Sequence, residues 1–233
     1  MQLLLDLDDR ARTLAEIHRR LQGRFGPLSS LLRLDPVSQL VMGLIGGRTR
    51  SEVSKAAFEA LLRRFGAWDA VRDAPVCEIQ GVIQDVTFAE LKAPRLKATL
   101  AAITRAHDGL TLDSLGRMTV EDALAWLERL PGVGRKVAAA TLNFSTLRKA
   151  ALVIDTHHVR VLRRLELVGA RHNLKQVYDH VMPLLPPDWR AADLDEHHQL
   201  MKLLGQTHCR HEIPLCHSCP LQDLCPSAPA GRD

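Results

Sequence analysis

The 233-residue sequence predicts an all-helical protein. Three observations carry that expectation. Apolar residues recur at spacings of three and four in segment after segment, glycines and prolines punctuate those segments, and no stretch of useful length alternates apolar with polar residues as a half-buried strand would. No internal repeat or low-complexity tract interrupts the pattern. At 46% hydrophobic and 25% charged, the chain is an ordinary folded one with enough apolar matter for a sizeable core in one or two domains. Its formal net charge of +4 permits a polyanionic partner without requiring one.

Taken in order, residues 7–24 set Leu14, Ile17 and Leu21 on one side and Arg10, Arg12, Arg19, Arg20 and Arg24 elsewhere. This predicts a surface helix with solvated arginines, closed by Gly23, Gly26 and Pro27. Asp35 and Pro36 supply the cap and first residue of a buried helix through Leu40, Val41 and Leu44, followed by a Gly46-Gly47-Arg48-Thr49-Arg50 loop. Ser51 opens a helix striped with Val53, Ala57, Leu61 and Leu62 and ended by Gly66. Short helices are expected near 67–73 and 75–83, with Cys77 a buried, inert thiol. Pro94 opens a longer helix to about His107, in which Lys92, Arg95 and Lys97 either flank a polyanion or face water, and Asp108-Gly109 marks a turn. Further helices are expected at 156–168, 174–184 and 192–207, with Pro183, Pro186 and Pro187 in the connecting loop.

A membrane role is not expected. The opening Leu3-Leu4-Leu5 run is broken by Asp6, Asp8 and Asp9, and the longest apolar stretch, about Leu40 to Ile45, is too short to cross a bilayer. A reducing cytosol is the expected compartment, where cysteines point to metal or chemistry before disulfides.

The centre of the chain reads as helix, hairpin, helix. Thr119 with Asp122 makes a capping-box-like start for a helix carrying Ala123, Leu124, Leu127 and Leu130 on one face. Pro131-Gly132-Val133-Gly134 then makes a tight turn, and Val137, Ala140, Thr141 and Phe144 restart the helical spacing, with Ala138, Ala139 and Ala140 small enough for close approach of a neighbour. The first amides of that second helix lack intrahelical partners and lie at the positive end of its dipole, so the glycine turn suits an anion. Arg135 and Lys136 add positive charge beside it. An ordinary turn with a solvated basic pair fits the same residues. Asp155, after the apolar run Ala151 to Ile154, reads either as the N-cap of the next helix or as a functional carboxylate.

Cys209, Cys216, Cys219 and Cys225 follow one another at intervals of six, two and five residues. Four thiolates so close in sequence suit one soft-ligand centre, and spacing alone leaves zinc and iron-sulfur open. His157, His158, His197, His198, His208 and His217 are not expected to form a second metal site, because adjacent histidines project to different helix faces.

Leu130-Pro131-Gly132-Val133-Gly134-Arg135-Lys136, an aspartate 19 positions beyond the lysine inside Ile154-Asp155-Thr156-His157, and the cysteine intervals together resemble the helix-hairpin-helix DNA glycosylase superfamily, in particular its endonuclease III family, over roughly residues 35–225. The resemblance implies a base-excision repair enzyme with glycosylase and AP lyase activities on damaged or abasic double-stranded DNA. Lys136 would be the nucleophile and Asp155 its supporting carboxylate. Pro131, Gly132, Val133, Gly134 and Arg135 would contact DNA, and the four cysteines would hold a mainly structural 4Fe-4S cluster. The loop between the first two cysteines, which meets DNA in the family, offers only Arg210 and His211 here, against Glu212.

Also implied are a six-helix domain over 30–149 bearing the hairpin and a cluster domain made of 1–29 and 150–233, with DNA across the groove between them. A cytoplasmic, nucleoid-associated monomer is expected. The lyase step needs a partly neutral lysine, and burial beside the helix N-terminus is the expected means. Where the family carries a glutamine that fills the space of an extruded base, this chain has Gly47 beside Arg48; Arg48 either takes over the plug or binds a phosphate. Two further readings are a monofunctional adenine or mismatch glycosylase, whose members lack the lysine, and a non-catalytic iron-sulfur DNA-binding or redox-sensing protein. The sequence does not name the lesion.

Overall fold

A computed structural model of the chain describes residues 2–28, 33–107 and 109–229. Among these the chain is helical throughout; the one extended feature is an isolated bridge between Leu34 and Ser145. No described helix is long and apolar enough to cross a membrane. Two compact units emerge, one of Leu32–Ala151 and one of Met1–Leu31 with Leu152–Asp233. The expected domain edge at 29/30 and the Asp108 half of the expected Asp108-Gly109 turn lie outside the described residues.

The continuous unit holds α2 (Pro36–Gly46), α3 (Ser51–Phe65), α4 (Trp68–Asp73), α5 (Val76–Val82), α6 (Ala89–Ala106), α7 (Val120–Glu128) and α8 (Arg135–Phe144). Asp35 caps α2 by accepting from the Ser38 amide at 3.0 Å, and Val37, Leu40, Val41 and Ile45 are buried. Helix α8 packs on α2 at close range because Gly43 has no side chain: a Cβ there would meet Val137 Cγ1 at 2.9 Å. Ala138, Ala139 and Ala140 are buried on the same helix.

Helix α6 departs from expectation at its start. It begins at Ala89, with Phe88 in the left-handed region (φ 62°) as its N-cap, and Pro94 lies within it. As the sixth residue of the helix, Pro94 supplies no donor to the Glu90 carbonyl and its ring crowds that oxygen, a local cost within α6. Cys77 is exposed, contrary to expectation, because α5 turns Ile79 and not Cys77 into the core.

The second unit holds α1 (Gln2–Phe25), α9 (Thr156–Arg164), α10 (Leu174–Val181) and α11 (Ala191–Thr207). Leu14, Ile17 and Leu21 of α1 are fully buried, whereas Arg19 and Arg20 share Glu16 at 2.6 and 2.7 Å and Arg20 also reaches Asp223. Helix α9 stops at Arg164, four residues before the apolar pattern does. Glu166 takes φ 58°, its amide donates to the Arg163 carbonyl at 3.0 Å and the Leu167 amide to the Leu162 carbonyl at 3.0 Å. That pair of bonds is a Schellman ending built without glycine.

Candidate functional site

The hairpin between α7 and α8 is fixed from both sides. Thr119 caps α7 by accepting from the Asp122 amide at 3.1 Å. The Val133 amide donates to the Leu130 carbonyl at 3.1 Å across Pro131 and Gly132, a turn that needs positive φ at its third residue; Gly132 supplies it at 77°. A Cβ on Gly132 would also stand 3.0 Å from Arg95 Cδ. Buried Thr99 donates to the Pro131 carbonyl at 2.8 Å, and Val133 is buried beneath the turn.

The second glycine has a different job. Gly134 is the N-cap of α8 with extended backbone (φ −106°, ψ 176°), and nothing lies within 4 Å of where its Cβ would be. Its place at the start of α8 leaves the first amides of the helix open to an approaching anion. Arg135 is not free to assist: its guanidinium grips Glu128 through two bonds of 2.6 and 3.1 Å and is largely buried. Lys136 is exposed, which removes burial as the means of keeping it neutral.

The loop that ends α2 approaches the same region from another element. Lys92 of α6 turns inward and donates to the Ile45 carbonyl (2.8 Å), the Gly47 carbonyl (2.5 Å) and Thr49 Oγ1 (3.1 Å). It neither faces water nor projects as a flanking cation. Lys97 likewise donates to the Ala74 carbonyl at 2.6 Å. Exposed Arg48 has φ 56° and holds its guanidinium carbon 5.9 Å from the centre of the Phe88 ring, itself 44% exposed. Two adjoining side chains in the left-handed region cost about 1–2 kcal/mol apiece, strain of the kind that gathers at binding sites. Nothing in the local sequence around Phe88 announced this.

In the other unit Asp155 is the N-cap of α9: Oδ1 accepts from the His158 amide at 2.9 Å and the residue is only 8% exposed. Burial opposes its ionisation. His198, the His158 amide, and the neighbouring His158 and His157 rings outweigh that, and the carboxyl is held below its ordinary range. Asp155 therefore carries its charge at neutral pH, and among the described residues no donor reaches its second oxygen. Behind it stands a buried imidazole cluster. His198 donates from Nδ1 to the Val153 carbonyl at 2.7 Å, while His158 and His197 are fully buried with no hydrogen-bond partner on either ring nitrogen. Burial drives His158 down to about 3 and His197 well below its usual value, so both are neutral.

The four cysteines follow α11 in a chain of short turns, all as free thiols. Burial raises Cys219 and Cys225, and each also feels the other thiols of the set, so the four sulfurs lie within electrostatic reach of one another. Amides of Leu221, Ser227 and Ala228 point at those two sulfurs, and Arg164 donates to Cys209 Sγ at 3.2 Å. Four reduced cysteines within electrostatic reach of one another, three of them met by N–H donors, are a donor set that suits a thiolate-held soft metal group. Among the described residues no three or more His, Cys, Asp or Glu side chains close on a position for a single ion. Arg160 donates to the Cys209 and Gly205 carbonyls at 2.8 Å, and Arg164 to the Arg210 and His211 carbonyls at 2.7 and 3.0 Å. These two arginines, which sequence reasoning passed over, tie the first cysteine loop to the helix that Asp155 caps.

Comparison with known proteins agrees with these features. The family model of HhH-GPD superfamily base excision DNA repair proteins matches residues 41–187. Endonuclease III of Synechocystis sp. is 30% identical over 207 residues, covering 88% of this chain and 88% of that protein. Endonuclease III of Bacillus subtilis is 32% identical over 196 residues, covering 84% and 83%. A solved structure of a trapped endonuclease III-DNA covalent intermediate superposes with a TM-score of 0.77 at 21% identity, over 93% of this chain and 96% of that one, and so shares the fold. A thermostable thymine-DNA glycosylase does so with a TM-score of 0.70 at 19% identity, over 94% of this chain and 95% of its own. With its hairpin, its capped aspartate and its cysteine array accounted for, the chain belongs to the HhH-GPD superfamily of base excision DNA repair proteins and, within it, to the endonuclease III family.

Proposed function

We propose that this protein is a bifunctional DNA glycosylase and AP lyase acting on damaged or abasic double-stranded DNA, as a nucleoid-associated monomer. The observation that carries the reading is an exposed amine, Lys136, the second residue of α8 and two positions past an unobstructed glycine N-cap. Phosphate is held by the open amides of the hairpin and by the helix dipole, with Arg135 bracing the turn through Glu128. Arg48, with its left-handed backbone and its guanidinium over the Phe88 ring, would plug the space of an extruded base or bind a phosphate.

Lys136 Nζ forms a bond to the anomeric carbon as the N-glycosidic bond breaks; the base leaves with that electron pair and takes up a proton. The charged carboxylate of Asp155 stabilises the positive charge that develops on the sugar. The amine then loses a proton, the ring C–O bond opens and an iminium forms. Loss of the adjacent C2′ proton expels the 3′ phosphate, and water finally releases the lysine.

Cys209, Cys216, Cys219 and Cys225 would hold a 4Fe-4S cluster, whose contribution when bound is to cross-link the C-terminal loop. Arg160 and Arg164 fix the backbone on which Cys209 rides.

Borohydride in the presence of an abasic duplex should trap a covalent adduct with the wild-type protein and none with Lys136→Ala. Absence of an adduct from wild type on every abasic and damaged duplex, or equal nicking by the two proteins, would leave a DNA-binding module instead of a lyase.

A further inference from the structure

Between α9, the start of α10 and the first cysteine loop lies an open cavity of about 550 Å³, all of it within one unit of the chain. Thr156, Arg160 and Arg163 line it from one face of α9, since their spacings of four and three bring them over one another. Arg164 adjoins them, His211 comes from the cysteine loop, and Leu174 is the first residue of α10.

The wall carries three guanidiniums and no carboxylate. Among the described residues none of the three is paired with an acid. Arg160 donates to the Cys209 and Gly205 carbonyls and meets the His157 ring, Arg164 donates to the Arg210 and His211 carbonyls and the Cys209 sulfur, and Arg163 donates to the His172 carbonyl at 2.8 Å. Other arginines are treated differently: Arg20 meets Glu16 and Asp223, Arg72 meets Asp69 and Asp73, and Arg135 meets Glu128. A carbonyl fixes the direction of a guanidinium without cancelling its charge. Glu166 and Glu212 are exposed and stand off the wall, and Asp179 is claimed by Lys175.

Donors remain for a ligand. A guanidinium has five N–H groups, in a fork that matches two phosphate oxygens. Exposed Arg163 spends one of them on His172, and no described residue accepts from Arg160 Nη1. Leu174 adds the positive end of α10.

The charge count selects the ligand. An internal phosphodiester of a strand carries one negative charge, whereas a phosphate monoester carries nearly two at neutral pH. With Arg164 turned to the Cys209 sulfur, Arg160 and Arg163 match the dianion, and the cavity has the concave form and size of a small-ligand site. We propose that this cavity binds a phosphate monoester, carried by a free nucleotide or by the 5′ end of a DNA strand. The proposal stands whether or not Lys136 is a nucleophile.

Isothermal titration of the full chain with thymidine 5′-monophosphate should reveal a site that thymidine does not fill. Arg163→Gln should weaken it at least about tenfold. Arg105→Gln, which removes the same charge from an exposed position in the other unit, should leave it unchanged. Duplexes with and without a 5′-phosphate test the second source: tighter binding of the phosphorylated one, lost in Arg163→Gln, makes the strand end the ligand. No phosphate-dependent gain with either probe, a gain that survives Arg163→Gln, or equal loss in Arg105→Gln overturns the proposal. If Arg163→Gln does not fold, phenylglyoxal labelling of wild type decides: the phosphate-bearing probe that binds should protect Arg163 and its phosphate-free counterpart should not, and equal labelling overturns the proposal.

Discussion

In the unit spanning Leu32–Ala151 the candidate amine, Lys136, is exposed beside a glycine turn, while Lys92 of the same unit is held by three oxygens. In the other unit the carboxylate is almost buried, caps a helix, and is governed by a peptide N–H and a set of buried imidazoles. An exposed group keeps its hydration, and nearby charges act on it weakly through water. A buried one is tuned by hydrogen bonds and shell polarity, because every unpaired neighbour is costly. Substitutions should thus separate function from folding in different ways in the two units.

The largest effect is expected at Asp155. Asparagine caps a helix about as well as aspartate, so Asp155→Asn should leave unfolding within about 0.5 kcal/mol of wild type while excision and trapping rates fall about 10²- to 10³-fold. Asp155→Ala should lose the cap as well, about 1 kcal/mol. Wild-type trapping by Asp155→Asn, with its cap intact, would reduce Asp155 to a structural residue and erase the contrast.

Next comes acid stability, which sharpens the comparison because, among the described residues, the fully buried imidazoles His158 and His197 lie in the aspartate-bearing unit. His158 and His197 take up protons in the unfolded chain near pH 6.5 but resist doing so when folded, His158 until about pH 3. Their contribution is whole above pH 6.5 and is lost as pH falls through 6.5 toward 3. Asp155, held below its ordinary value, adds a loss of the same sign below pH 4. From pH 7 to 5.5 the two histidines should cost about 2–3 kcal/mol, read by denaturant unfolding at each pH. A flat profile over that interval would mean that the cluster is hydrated.

The smallest effect separates the two glycines of the hairpin. Gly132→Ala places a side chain at φ 77° against Arg95 and should cost about 1–2 kcal/mol of stability. Gly134→Ala meets nothing within 4 Å and should cost only a few tenths, while weakening affinity for undamaged duplex, because its methyl group occupies the approach to the α8 amides. Equal stability losses in the two variants would contradict these separate roles.

Local chemistry was legible from residue order. The caps at Asp35, Thr119 and Asp155 each bridge three residues, so a short motif contains donor and acceptor together. Other boundaries were not legible for equally physical reasons. Helix α9 ends through Glu166, an unusual left-handed residue that composition does not betray, and α6 starts at Ala89 because the left-handed φ of its N-cap Phe88, not Pro94, breaks the chain direction. The expected buried thiol at Cys77 failed because one apolar neighbour, Ile79, claimed the only inward face of a two-turn helix.

The sequence by itself determined the helical class and the glycine hairpin, since each follows from residue types a few positions apart, and it supplied the candidate amine, carboxylate and four thiols through a family resemblance. Tertiary structure alone decided their electrostatic surroundings. The acceptors of Lys92 are contributed from 43 to 47 positions away, Arg135 is claimed by Glu128 across the turn, and the imidazoles around Asp155 come from α9 and α11. Charge acts through space over a few ångströms, and only folding sets which residues share that distance.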